Sequence, residues 1–178
     1  MNLPNKITIF RVCMIPVFLV FMLVEGIPYG NYIAAVVFII ACLSDALDGH
    51  IARKYNLVTN FGKFMDPLAD KLLVCTALIC FLEKGTIPLL VVIVIIAREF
   101  IISGFRQVAS DAGLVLAASY WGKFKTTAQM IMCVLLILHL DYAWFSMLET
   151  IFIWLSFALT VISMMDYLLK NKSVLNAK

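Results

Sequence analysis

"SDALDGHIARKYNLVTNFGKFMDPLADK", Ser44 to Lys71, sets four aspartates between two strongly apolar runs. Ionisable groups at a lipid boundary are costly and default to functional sites. On a helix, Asp45, Asp48, Gly49 and Ala52 stand at i, i+3, i+4 and i+7, one face. Gly62, Asp66, Ala69 and Asp70 stand at i, i+4, i+7 and i+8, again one face. Two such helices side by side let the four carboxylates converge. Without counterions they would repel and resist ionising. Either Arg or Lys pairing or a hard divalent cation (Mg²⁺, Mn²⁺ or Ca²⁺) relieves this. Two ions sharing carboxylates form a clamp for displacement at phosphorus. Gly49 and Gly62 admit close backbone approach, and Arg53, one turn beyond Gly49, can grip a phosphate in a bidentate contact. One helix-end acid pair would be an ordinary solvated end. Four acids flanked by small residues at a membrane surface favour function.

The flanking sequence supplies the membrane. The 178 residues are 63% hydrophobic and 14% charged, with mean hydropathy +1.01, whereas soluble domains are nearer half apolar and a quarter charged. The expected fold is an all-α integral membrane domain spanning residues 1–178, because the apolar runs are continuous rather than alternating as in a β-barrel. Six spans are expected: Ile7–Val24, Tyr32–Lys54, Phe64–Leu82, Ile87–Val108, Tyr120–Leu140 and Met147–Leu169. The first lacks a cleavage pattern and carries Arg11, so it reads as a span and not a leader. With six spans nearly every Lys and Arg falls on one side and Lys84 on the other, which puts both termini and the aspartates in the cytoplasm. Tyr29, Tyr32, Tyr142 and Trp144 suit the opposite interface. No basic run suggests nucleic acid. Cys13, Cys42, Cys75, Cys80 and Cys133 are scattered through apolar segments and read as buried thiols, not metal or disulfide pairs.

Asp45 to Asp70 reads D-x2-D-G-x2-A-R-x8-G-x3-D-x3-D. It resembles the motif of the CDP-alcohol phosphotransferases, with Asp45, Asp48, Gly49, Ala52, Arg53, Gly62, Asp66 and Asp70 all in place. The resemblance covers most of the chain and implies a six-span enzyme with two divalent ions, Mg²⁺ or Mn²⁺. It implies that Asp45 and Asp66 bridge both ions, that Asp48 ligates one, and that Asp70 ligates the other and serves as general base. By the same resemblance Gly49, Ala52, Arg53, Thr59 and Gly62 line the CDP site. "PNKITIFR" resembles the first helix of the family, which places Asn5, Thr8 and Arg11 near the nucleotide. The donor implied is CDP-diacylglycerol, the products CMP and a phospholipid, and the assembly a homodimer in membrane lipid.

Two further segments bear on the acceptor. "AREFIISGFRQVA" carries Arg98, Glu99 and Arg106, and "GKFKTTAQ" carries Lys123 and Lys125. Read plainly, Arg98 and Glu99 neutralise each other and the lysines anchor a span end. Read functionally, Arg98, Arg106, Lys123 and Lys125 form a pocket for a second phosphate. The segments resemble family members whose acceptor is sn-glycerol 3-phosphate, which implies phosphatidyl transfer to its 1-hydroxyl. Other acceptors remain open at this point, as do a prenyltransferase and a divalent-cation transporter. A transporter needs acids near the bilayer midplane, and these cluster at one surface. His50 reads as a surface residue, His139 lies near the far interface away from the chemistry, and Asp166 reads as solvated or paired with Lys170 at i+4. Pro67 directly after Asp66 disfavours helix at Asp66 unless the helix starts or bends there.

Overall fold

A computed structural model describes residues 3–54, 60–111 and 119–171; at 3–6, 45–54, 60–64, 66, 67, 70, 110 and 111 it describes the backbone alone. Six helices follow one another: α1 (Leu3–Leu23), α2 (Gly30–Lys54), α3 (Asn60–Glu83), α4 (Leu89–Asp111), α5 (Tyr120–Leu138) and α6 (Ala143–Lys170). The expected all-α class holds, and each expected span falls on one helix. At about 1.5 Å per residue these helices measure roughly 28–42 Å, enough to match a hydrocarbon core of about 30 Å. The third helix starts a turn before the expected span: it begins at Asn60 and runs through Asp66 and Pro67. Proline removes one rung of the hydrogen-bond ladder, and here the helix continues past the gap.

Large apolar side chains stand exposed on every helix, among them Val20, Val36, Ile79, Phe100, Phe124 and Trp154. A water-soluble bundle rarely leaves so much apolar surface uncovered. Among the described residues, Ala143–Lys170 is long and apolar enough to cross a membrane unaided, with a mean hydropathy of 1.9 over its best window. Ile7–Leu23 and Gly30–Ser44 are shorter apolar helices.

The helices group into two compact units. The first holds α1, α2 and α3, with the last residues of α5. Its interior is a set of helical stripes: Thr8, Arg11, Ile15, Phe18 and Met22 on α1; Ala34, Phe38 and Ala41 on α2; Ala69, Leu73, Ala77 and Phe81 on α3. Small residues on α2 and α3 let the backbones approach, the usual device where lipid gives helices no hydrophobic reason to associate. The Phe18 and Phe38 rings lock α1 to α2 with centroids 6.0 Å apart.

The second unit holds α4, α6 and most of α5. The buried stripe of α6 is polar for its length: Glu149, Ser156, Thr160, Ser163 and Tyr167. Thr160 Oγ1 donates to the Ser156 carbonyl at 2.6 Å and Ser163 Oγ to the Thr160 carbonyl at 3.0 Å. The Thr160 and Ser163 hydroxyls are thus satisfied within their own helix, and these small residues leave it slim enough to pack on α4.

Candidate active site

The backbone places the four aspartate positions at one end of the first unit, on the last turns of α2 and the first turns of α3. On α2 the buried stripe Ala34–Phe38–Ala41 continues, at the same helical spacing, into Asp45, Asp48 and Ala52. On α3, Gly62, Asp66 and Asp70 share the face marked by buried Ala69 and Leu73. Both sets are in register with the core and not with the lipid-facing sides. Because α2 ends where these positions stand and α3 begins there, both sets lie at the same end of the unit. The side chains of Asp45, Asp48, Ala52, Arg53, Asp66, Asp70 and Asn5 lie outside the described residues, as does Thr59 altogether; Gly49 and Gly62 are placed by the α2 and α3 backbones.

Thr8 and Arg11 belong to the interior of the same unit. Both are fully buried, on the N-terminal part of α1, and both are engaged in polar or electrostatic contacts. A guanidinium taken wholly out of water needs an anion or a dense set of acceptors. Its place in a unit carrying four carboxylates at one end is chemically consistent. The donor set itself, all hard carboxylate oxygen, fits Mg²⁺ or Mn²⁺.

The opposite end of this unit is different. A cavity of about 950 Å³ opens there, lined by residues that include Phe21, Tyr29, Tyr32, Glu25, Glu83 and Lys84. Lys84 Nζ sits 3.9 Å from Met22 Sδ. This cavity is a helix-length away from the aspartates and takes no part in the candidate site.

In the second unit the structure gathers three of the four proposed acceptor cations. Glu99 is the hub. Lys125 Nζ bridges to Glu99 Oε1, and Arg98 Nη1 lies 3.7 Å from Glu99 Oε2. Lys125 is only 2% exposed, and Arg98 is buried as well. Among the described residues two buried cations share one carboxylate, so the plain reading, in which Arg98 and Glu99 merely cancel, accounts for only part of the arrangement. The Arg98 guanidinium reaches toward the first turn of α5, where a Cβ on Gly122 would lie 3.7 Å from Nη2. Arg106 is within electrostatic reach of Arg98, and its Nε donates to Tyr167 Oη at 3.3 Å while the guanidinium lies 5.4 Å from that ring's centroid. Lys123 stands apart: it is exposed, with Nζ 5.6 Å from the Tyr120 ring centroid.

Three participants were not singled out from sequence. Tyr167 is buried in an apolar run that gives it no distinguishing pattern. Gln129, one turn beyond Lys125 on the same face, is buried with its Oε1 lacking a hydrogen-bond donor. Ser119 donates to Asp166 Oδ2 at 2.5 Å. The expected Asp166–Lys170 pair is present at 2.7 Å.

With this geometry in hand, comparison with known proteins is decisive. The sequence profile of the CDP-alcohol phosphatidyltransferase family matches residues 1–162. The chain belongs to that family. Its curated relatives include the CDP-diacylglycerol--glycerol-3-phosphate 3-phosphatidyltransferase of Bacillus subtilis, 45% identical over 96% of this chain and 95% of the relative. The proteins of the same name from Rickettsia bellii and Haemophilus influenzae are 37% and 38% identical, covering 93% and 94% of this chain and 93% and 91% of the relatives. CDP-alcohol phosphatidyltransferases are in general dependent on divalent metal.

Proposed function

We propose that this chain transfers the phosphatidyl group of CDP-diacylglycerol to the 1-hydroxyl of sn-glycerol 3-phosphate, giving phosphatidylglycerophosphate and CMP. The observation that carries the reading is 45% identity to a protein of that name across nearly the whole of both chains, with every fixed position of the motif intact. In this reading the six helices all span the cell membrane, both termini are cytoplasmic, and the aspartates face the cytoplasm, as the one-sided placement of Lys and Arg supports. A homodimer belongs to the same proposal, from the family resemblance.

Asp45 and Asp66 would hold two divalent ions between them, with Asp48 completing one site and Asp70 the other. When bound, the ions neutralise the diphosphate and make its phosphorus electrophilic. Thr8, Arg11, Gly49, Arg53 and Gly62 bind and orient the CDP group. Arg98, Arg106 and Lys125 hold the acceptor's phosphate, a role that an acceptor without a phosphate, such as serine or inositol, would not require. Asp70 takes the proton of the 1-hydroxyl. The alkoxide oxygen bonds to the phosphorus that carries diacylglycerol, the bond from that phosphorus to the bridging oxygen breaks, and CMP leaves. No side chain acts as nucleophile.

The test is CMP release from CDP-diacylglycerol in detergent or liposomes. Release is expected to require both glycerol 3-phosphate and Mg²⁺ or Mn²⁺, to stop on chelation, and to return when metal is restored. Release that ignores glycerol 3-phosphate, or that survives chelation, would reject the acceptor or the metal assignment respectively.

A further inference from the structure

The start of α5 carries the acceptor-side lysine and is held in two places. Lys125 ties it to α4 through Glu99. Ser119, whose carbonyl accepts the Lys123 N–H at 3.3 Å, ties it to α6: its hydroxyl donates to Asp166 Oδ2 at 2.5 Å. Ser119 thus spends its hydroxyl on a neighbouring helix. The other oxygen of Asp166 receives the largely exposed Lys170 at 2.7 Å, while the Asp166 side chain is only 17% exposed. A carboxylate at this spot also favours the positive end of the α5 dipole. The next residue, Tyr167, receives Arg106 of α4. A single turn of α6 therefore grips α5 through Asp166 and α4 through Tyr167.

We infer that Asp166 is a positioning residue for the acceptor, acting through Ser119 to set where Lys125 stands relative to Arg98 and Arg106. This rests on the glycerol 3-phosphate reading above. Charge and helix stability alone do not account for the arrangement, because the Asp166–Lys170 pair would suffice for both; the bond to Ser119 is the added element.

The experiment separates the two arms of Asp166 in the full-length enzyme. Ser119→Ala breaks the α5 arm, Lys170→Met breaks the arm within α6, and Asp166→Ala breaks both. Ser119→Ala and Asp166→Ala are expected to raise KM for glycerol 3-phosphate roughly tenfold, the scale on which small displacements of binding groups act. KM for CDP-diacylglycerol and kcat should change less than about twofold. Lys170→Met should stay near wild type, and Ser119→Thr, which keeps the hydroxyl, should restore the acceptor KM. An unaltered acceptor KM in Ser119→Ala overturns the inference. So does an equal effect of Lys170→Met, which would make Asp166 a stabiliser of α6 alone. Should Asp166→Ala fail to fold, Ser119→Ala and Ser119→Thr still decide. Wild-type CMP release that does not depend on glycerol 3-phosphate would instead reject the acceptor reading, and the inferred role with it.

Discussion

Replacing Asp45 with asparagine is expected to cut CMP release by about a thousandfold or more, the scale on which a lost transition-state electrostatic contact acts. Asparagine keeps the shape of the side chain and removes its charge. Asp45 stands in helical register with Ala34, Phe38 and Ala41, all buried, so its position continues the buried stripe of α2. A carboxylate there without a counter-ion would be destabilising; removing its charge should leave the helices intact and abolish the chemistry. The measurement pairs CMP release with helical circular dichroism and the thermal midpoint in detergent. Glu83→Gln, at the other end of the same unit, should retain near wild-type turnover. Near-normal turnover in Asp45→Asn would discard the metal assignment.

Lys125→Met should raise KM for glycerol 3-phosphate about a hundredfold, since a charge-assisted hydrogen bond contributes roughly 1.5–3 kcal/mol. KM for CDP-diacylglycerol should hardly move. Methionine matches the lysine stem, so packing changes little at this 2% exposed position. Stability should fall as well, because Glu99 loses its bridge and, among the described residues, keeps Arg98, 3.7 Å away. Breaking a buried pair costs about 3–5 kcal/mol, and the remaining arginine moves the expected loss to the low end. The double variant Glu99→Gln/Lys125→Met distinguishes binding from scaffolding. It should regain the lost thermal stability without regaining acceptor affinity. Recovery of both would make Lys125 a structural partner of Glu99 and nothing more.

The helices were legible because lipid imposes long apolar runs with sharp polar breaks. The aspartate faces were legible because i, i+3, i+4 and i+7 spacing fixes side-chain direction once a helix is granted. The start of α3 was not, since hydropathy finds the span and not the helix: "NFGK" is polar, yet it forms the first turn. Lys123 and Lys125 show a limit that helical geometry could have removed. Residues two apart on a helix point in nearly opposite directions, and of the pair Lys125 is buried and Lys123 exposed. Tyr167 and Ser119 were invisible for another reason. Their meaning lies in partners 61 and 47 residues away in sequence, and no local pattern encodes such a pairing.

The bridge from Lys125 to Glu99 also bears on how the chain enters the bilayer. During synthesis α4 emerges before α5, so Arg98 and Glu99 reach the membrane as a matched pair and Lys125 meets a carboxylate already made. On the proposed six-span reading, an unmatched charge within a span opposes insertion by about 2.5–3.5 kcal/mol on translocon scales. The α5 segment should therefore insert less readily when Glu99 cannot receive Lys125. Glu99→Gln should lower the inserted fraction of α5, and Glu99→Gln/Lys125→Met should restore it.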